Sequence, residues 1–121
     1  ACQIALGTVY SGAFTNNKQW LDKVMKAAEA AGERLWQLPL HDDYKEQNKS
    51  DVADIKNSGG RYGGAITAAW FLAEFAEDTP WVHLDIAGTD RAEKDRGSTV
   101  KGATGVTVRT LVNLALAESK S

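Results

Sequence analysis

The chain has 121 residues, 43% of them hydrophobic, and a formal net charge of −2. That length fits one domain, or part of a larger one, with enough apolar material for a core. The near-neutral balance supplies no broad basic face for nucleic acid, no apolar run is long enough to cross a bilayer, and no charged start with a cleavage site marks a signal peptide.

Cys2 is the single cysteine. It excludes an internal disulfide, which fits a reducing cytoplasm. A thiol nucleophile needs a base, and neither histidine is close in sequence, so a small buried or interfacial residue is expected. The opening Ala1-Cys2-Gln3-Ile4-Ala5-Leu6-Gly7 is apolar and reads as the middle of an element. It suggests a chain cut from something longer, because a terminus is usually polar and loosely held.

Residues 2–14 carry Ile4, Leu6, Val9, Tyr10 and Phe14 with glycines at 7 and 12, which predicts one or two short strands joined by a turn. Thr15-Asn16-Asn17 is a helix start. Trp20, Leu21, Val24, Met25, Ala28 and Ala31 then recur at helical spacing until Gly32. Leu35 to Leu40 is extended and interrupted by Pro39. His41-Asp42-Asp43-Tyr44 leads into a short polar helix reaching about Lys49, with Asp42 and Asp43 as capping residues. Their functional alternative is a metal or acid/base group with His41, although adjacent side chains diverge. Residues 50–57 are ambiguous between helix end and strand.

Ser58-Gly59-Gly60-Arg61-Tyr62-Gly63-Gly64 precedes an apolar helix from Ala65 to about Ala76. That helix is apolar around most of its circumference, so deep burial is expected. The glycine-rich loop could bind an anion through free amides. No Gly-Lys-Ser/Thr follows, so it is not a phosphate-binding lysine loop. A tight turn letting a buried helix approach its neighbours is the plainer expectation.

After the turn at Glu77-Asp78-Thr79-Pro80, Trp81 to Ala87 reads as a buried strand ending at Gly88. Alternation places Trp81, His83, Asp85 and Ala87 on one face and Val82, Leu84 and Ile86 on the other. His83 and Asp85 could point at one metal, or satisfy buried hydrogen bonds. Ligands bind beyond the carboxyl ends of strands in open α/β sheets, and Ala87-Gly88-Thr89-Asp90 stands there. A solvated, mixed-charge loop from Thr89 to Lys101 follows. Gly102-Ala103-Thr104-Gly105 then opens a final helix bearing Val108, Leu111, Val112 and Ala115. Helices alternating with short strands predict an α/β layer.

Five blocks resemble the leucyl (cytosol) aminopeptidase family. They are Arg34 to Leu40 with Asp43-Tyr44; Ser50 to Asn57; Gly63 to Ala69 with Phe71-Leu72 and Phe75; Pro80 to Thr89; and Lys101 to Gly105 with Val108 to Val112. They stand in the family's order across nearly the whole chain. The resemblance implies that residues 1–121 are the carboxy-terminal portion of a three-layer α/β/α metallopeptidase domain with a mixed central sheet. Full-length members remove amino-terminal residues from peptides with two divalent metals, zinc or manganese, which polarise the scissile carbonyl and activate water.

The family's ligands are a lysine, several aspartates and a glutamate, the last of them in an Asn-Thr-Asp-Ala-Glu-Gly-Arg motif. That motif is absent from this sequence. The resemblance therefore implies no metal in this chain alone, no catalytic residue in it, and an inactive fragment that needs the missing amino-terminal part. His83 and Asp85 match no family ligand and are expected to support the sheet. Ala87 matches a position lining the pocket for the substrate's first side chain, and Asp90 matches another, usually apolar where leucine is preferred. An acidic residue there would disfavour a buried leucyl group, and could favour a basic one or turn away from the pocket. Arg96-Gly97-Ser98-Thr99 departs from the family's proline-containing run. Implied partners are a peptide substrate and further subunits, since members are cytoplasmic hexamers. The alternative is a non-catalytic binding or assembly module derived from the family.

Overall fold

The computed structural model describes residues 1–46, 63–92 and 101–120. The expectations for residues 50–57, the glycine-rich loop at 58–62 and the Arg96–Thr99 run lie outside the described residues.

The first element is a helix, α1 (Cys2–Leu6), where strands were expected. A short apolar run carries no period that separates strand from helix. Here Ala1 O accepts from Ala5 N at 3.2 Å and Gln3 O from Gly7 N at 2.8 Å. Gly7, at φ 68°, ends the turn. Strand β1 (Ser11–Thr15) follows and is buried along nearly its whole length.

Helix α2 (Lys18–Ala31) agrees with expectation at both ends. The Asn17 side chain accepts from Trp20 N, and Gly32 adopts the left-handed conformation at φ 71°. Strand β2 (Leu35–Gln37) and the short helix α3 (Asp42–Lys45) come next. The cap of α3 is His41, not Asp42 or Asp43: its Nδ1 accepts from Asp43 N at 3.1 Å. The two aspartates occupy the first turn, where they complement the helix dipole.

Helix α4 (Gly64–Ala76) buries Ala65, Thr67 and Ala69 only. Leu72 is 40% exposed and Phe75 70%, so the expected deep burial is not found. The sheet side packs Ala65 and Ala69, and α3 reaches the helix through polar contacts, Trp70 Nε1 donating to His41 O at 2.7 Å and Lys45 pairing with Glu74 at 3.1 Å.

Strand β3 is Val82–Asp85, shorter than expected, half-buried and at a sheet edge. The order is β2-β1-β3, with β1 parallel to β2 and antiparallel to β3. The sheet is therefore mixed. Beyond it, β4 (Arg91–Ala92) pairs antiparallel with β5 (Gly102–Ala103), which ties down both ends of the expected solvated loop. Helix α5 (Val108–Ser119) closes the described chain.

Helices cover both faces of the sheet. On one face Phe14 packs with Cys2 of α1 and Ala65 and Ala69 of α4, flanked by Trp81. On the other, Val24 and Ala28 of α2 and Leu35 pack with Val82, Leu84 and Leu114 of α5. The expected alternation of β3 is thus observed, with Trp81 on the first face and Val82 and Leu84 on the second. Fully burying a side chain such as Phe14 is worth about 1.5–3 kcal/mol.

Both ends of β3 are fastened to β1. At the start, Thr15 Oγ1 donates to Trp81 O at 2.7 Å and Trp81 N donates to Asn16 Oδ1 at 2.9 Å. At the far end, β3 runs out beside Gly12, its partner at Asp85.

Candidate functional site

The turn after β3 is built from Ile86 to Asp90. Ile86 O accepts from both Thr89 N and Asp90 N at 3.0 Å, closing a single helical turn. Asp85 Oδ1 accepts from Ala87 N at 3.1 Å and fixes the entry. The outcome is a strict division of side chains. Gly88 and Thr89 are buried, while Ala87 and Asp90 are exposed on either side of them.

Three elements hold the turn. The Ser11 and Thr89 hydroxyls share a buried hydrogen bond of 2.6 Å at the start of β1. Thr104, just after β5, donates from Oγ1 to Thr89 O at 2.7 Å and from N to Asp90 O at 3.0 Å. Gly88 lies against the end of α1, where a Cβ would overlap the Gly7 carbonyl oxygen and sit 3.2 Å from Gln3 Cα. Glycine is required there by close approach of backbone to backbone.

The rule that ligands bind beyond carboxyl ends of strands applies to strands running the same way. Strand β3 runs against β1, so its carboxyl end lies with the amino ends of β1 and β2. The rule does not select this turn. The exposed pair Ala87 and Asp90 on a fixed backbone is what marks it as a candidate.

His83 lies in an aromatic stack. Its ring centroid is 5.6 Å from Phe14 and 6.2 Å from Trp81, with planes inclined by 25° and 10°. Burial lowers its pKa below the ordinary histidine value, outweighing the opposing pull of Asp85. The Asp85 carboxylate is engaged with the Ala87 amide. Both residues therefore support sheet and turn. Cys2 is buried, and its Sγ donates to Asp85 O at 3.7 Å. Burial, with the Asp85 carboxylate adding to it, pushes the thiol pKa up. A protonated, enclosed thiol is a poor nucleophile.

Among the described residues no three His, Cys, Asp or Glu side chains come together in a way that could hold a metal ion. The exposed His41 and Asp43 do approach, with Nδ1 3.7 Å from Oδ2, but His41 Nδ1 is also the acceptor that caps α3. The described side chains do not fit a two-metal centre.

Ser11, Thr104 and Glu33 carry roles that sequence reasoning did not assign. Glu33 follows the α2 cap, and its side chain is 4% exposed. It accepts from Thr107 N at 2.8 Å, Thr110 N at 2.9 Å and Thr110 Oγ1 at 2.7 Å, filling the donors at the start of α5. Burial raises its pKa, but the Thr110 and Thr107 hydrogen bonds, aided by Arg109, prevail and hold the carboxyl below its usual range. The partners are 74 and 77 residues away, so no local signature announces them.

Residues 1–112 match the sequence profile of the cytosol aminopeptidase family, catalytic domain. A protein of Alkaliphilus metalliredigens named a probable cytosol aminopeptidase is 52% identical over 120 residues, covering 99% of this chain and 24% of that protein. One of Solibacter usitatus with the same name is 57% identical over 116 residues, covering 96% and 24%. Among solved structures, a tomato leucine aminopeptidase mutant superposes with TM-score 0.87 at 44% identity, over 95% of this chain and 22% of that one. The bottromycin maturation enzyme BotP in complex with Mn gives 0.92 at 38% identity, over 98% and 27%. The chain thus spans about a quarter of the length of the relatives it matches.

Proposed function

The chain belongs to the cytosol aminopeptidase family, and on that premise we propose that residues 1–121 form the carboxy-terminal part of a two-metal aminopeptidase catalytic domain. The whole enzyme releases amino-terminal residues from peptides in the cytoplasm, as a hexamer. This part contributes sheet scaffold and the pocket for the substrate's first side chain, through Ala87 and Asp90. The two divalent metals, zinc or manganese, are held by residues outside this chain. The Mn in the BotP complex supports manganese as one of the metals used.

The observation that carries this reading is the division of labour at the turn. Ala87 and Asp90 stand exposed on a backbone fixed from three sides. Small Ala87 leaves room for an approaching side chain, and the Asp90 carboxylate favours a basic side chain over leucine because burying it against an apolar group is costly.

The test is a pair of assays. The purified chain, supplied with manganese or zinc, is expected to leave leucyl-p-nitroanilide intact. Joined to the preceding catalytic sequence of the Alkaliphilus metalliredigens relative, it is expected to yield chelator-sensitive hydrolysis. Chelator-sensitive hydrolysis by the chain alone would overturn the reading, as would an inactive joined enzyme.

A further inference from the structure

Two hydroxyls meet below the turn. Ser11 is 1% exposed and Thr89 8%, and their oxygens are 2.6 Å apart. Thr89 Oγ1 also lies 3.3 Å from Ile86 O, which can only accept. A Thr89 proton aimed at that carbonyl leaves Ser11 as the donor in the short bond. The order is then Ser11 to Thr89 to Ile86 O, and Ile86 O is the same atom that receives both amides of the turn. Thr104 fastens the opposite side, at Thr89 O and Asp90 O. Its own Oγ1 accepts from Val106 N at 3.2 Å.

Stability alone does not call for this arrangement. Apolar side chains of the same volume would avoid the cost of taking hydroxyls out of water. Apolar contact, however, has no direction, whereas hydrogen bonds fix rotation. The Ile86–Asp90 turn is closed on one carbonyl, so its side chains share one backbone frame. A rotation at Thr89 would therefore swing the Ala87 methyl and the Asp90 carboxylate together. Gly88 lies close against Gly7 and Gln3 and leaves no room for displacement toward α1.

We propose that Ser11, Thr89 and Thr104 are positioning residues for substrate selection, holding Ala87 and Asp90 in register with the side chain of the residue to be released. The inference rests on the assignment of Ala87 and Asp90 to the specificity pocket. It reaches further, to residues that touch no substrate and yet set which one is taken. A misplacement of an ångström at such a site carries large kinetic consequences.

The experiment measures kcat and KM for leucyl- and arginyl-p-nitroanilide in the complete enzyme containing this chain. The variants are Ser11→Ala, Thr89→Val, Thr104→Val, Thr89→Ser and Asp90→Met. The leucine-to-arginine ratio of kcat/KM is expected to shift about tenfold in Thr89→Val, mainly through KM. Ser11→Ala and Thr104→Val shift it in the same sense, and Thr89→Ser, which keeps the hydroxyl, restores it. Equal losses on both substrates, or an unchanged ratio with Asp90→Met altering it, would overturn the positioning role alone. An unchanged ratio in Asp90→Met, or an inactive complete enzyme, refutes the pocket assignment beneath it. Should Thr89→Val not fold, Ser11→Ala decides, because it removes the other partner of the same bond.

Discussion

Truncating Glu33 tests how α5 is held. In Glu33→Ala, three donors lose their acceptor: Thr107 N, Thr110 N and Thr110 Oγ1. Thr110 is 0% exposed, so water cannot replace the lost partner without opening the contact. Leaving a buried donor unpaired costs about 1–3 kcal/mol, and two such donors on one residue give about 2–6 kcal/mol. Folded domains have a total margin of about 5–15 kcal/mol, so a loss of this size is a large share. Arg109 is the natural control. Its guanidinium stands 4.0 Å from the carboxylate and is 68% exposed, so Arg109→Ala is expected to cost about 0–1 kcal/mol. The sign with pH follows from the direction of the shift. Glu33 has a depressed carboxyl pKa in the fold and about 4.3 when unfolded. Between those values the unfolded chain binds more protons, so the contribution is complete above the unfolded value and is lost as pH falls through the folded one. Urea unfolding followed by far-ultraviolet circular dichroism from pH 3 to 7 measures all of this. Equal midpoints for Glu33→Ala and Arg109→Ala, or the same acid slope with and without Glu33, would refute the reasoning.

Gly88→Ala forces a methyl into the Gly7 carbonyl, backbone against backbone, and is expected to destabilise by about 1–3 kcal/mol or more in the same urea assay. A midpoint equal to wild type would mean that α1 does not press on the turn. His83 titrates below its ordinary value in the fold, so unfolding takes up a proton and stability declines as pH drops through about 6.5. His83→Phe, which keeps a ring between Phe14 and Trp81, is expected to flatten that decline. An identical pH profile in the variant would place the titration elsewhere.

What could be read from the sequence follows the range of the physics involved. Helix α2 was legible because Asn17, its apolar spacing and Gly32 lie within one short stretch. The α/β class was legible from alternating element types. Helix α1 was not, because its apolar run is too short to show a period. The direction of β3 was not either. Alternation assigns faces correctly whichever way a strand runs, so it located Trp81 and Val82 but missed that β3 opposes β1. The cap on α3 went to His41 over two better-known capping residues by a shift of one position. At the candidate site, Ala87 and Asp90 came from family resemblance. Ser11 and Thr104 are joined to the turn across 78 and 15 residues, a separation that no local pattern encodes.

The long-range bonds also link the turn to the α2–α5 layer. Glu33 secures Thr107 and Thr110, at the start of α5. Only a few residues earlier, Thr104 secures Thr89 and Asp90 at the turn. Val106 N donates back to Thr104 Oγ1 at 3.2 Å, so the intervening chain is itself braced. The segment from 104 to 110 is thus bonded at one end to the turn and at the other to a buried carboxylate beside α2. Neither bond is stiffer than its anchor. If α5 loosens at Glu33, Thr104 loses the fixed backbone from which it reaches the turn, and the exposed pair Ala87 and Asp90 loses one of its three restraints. The position of two surface side chains on the turn beyond β3 thereby depends on a carboxylate buried beside α2 and α5.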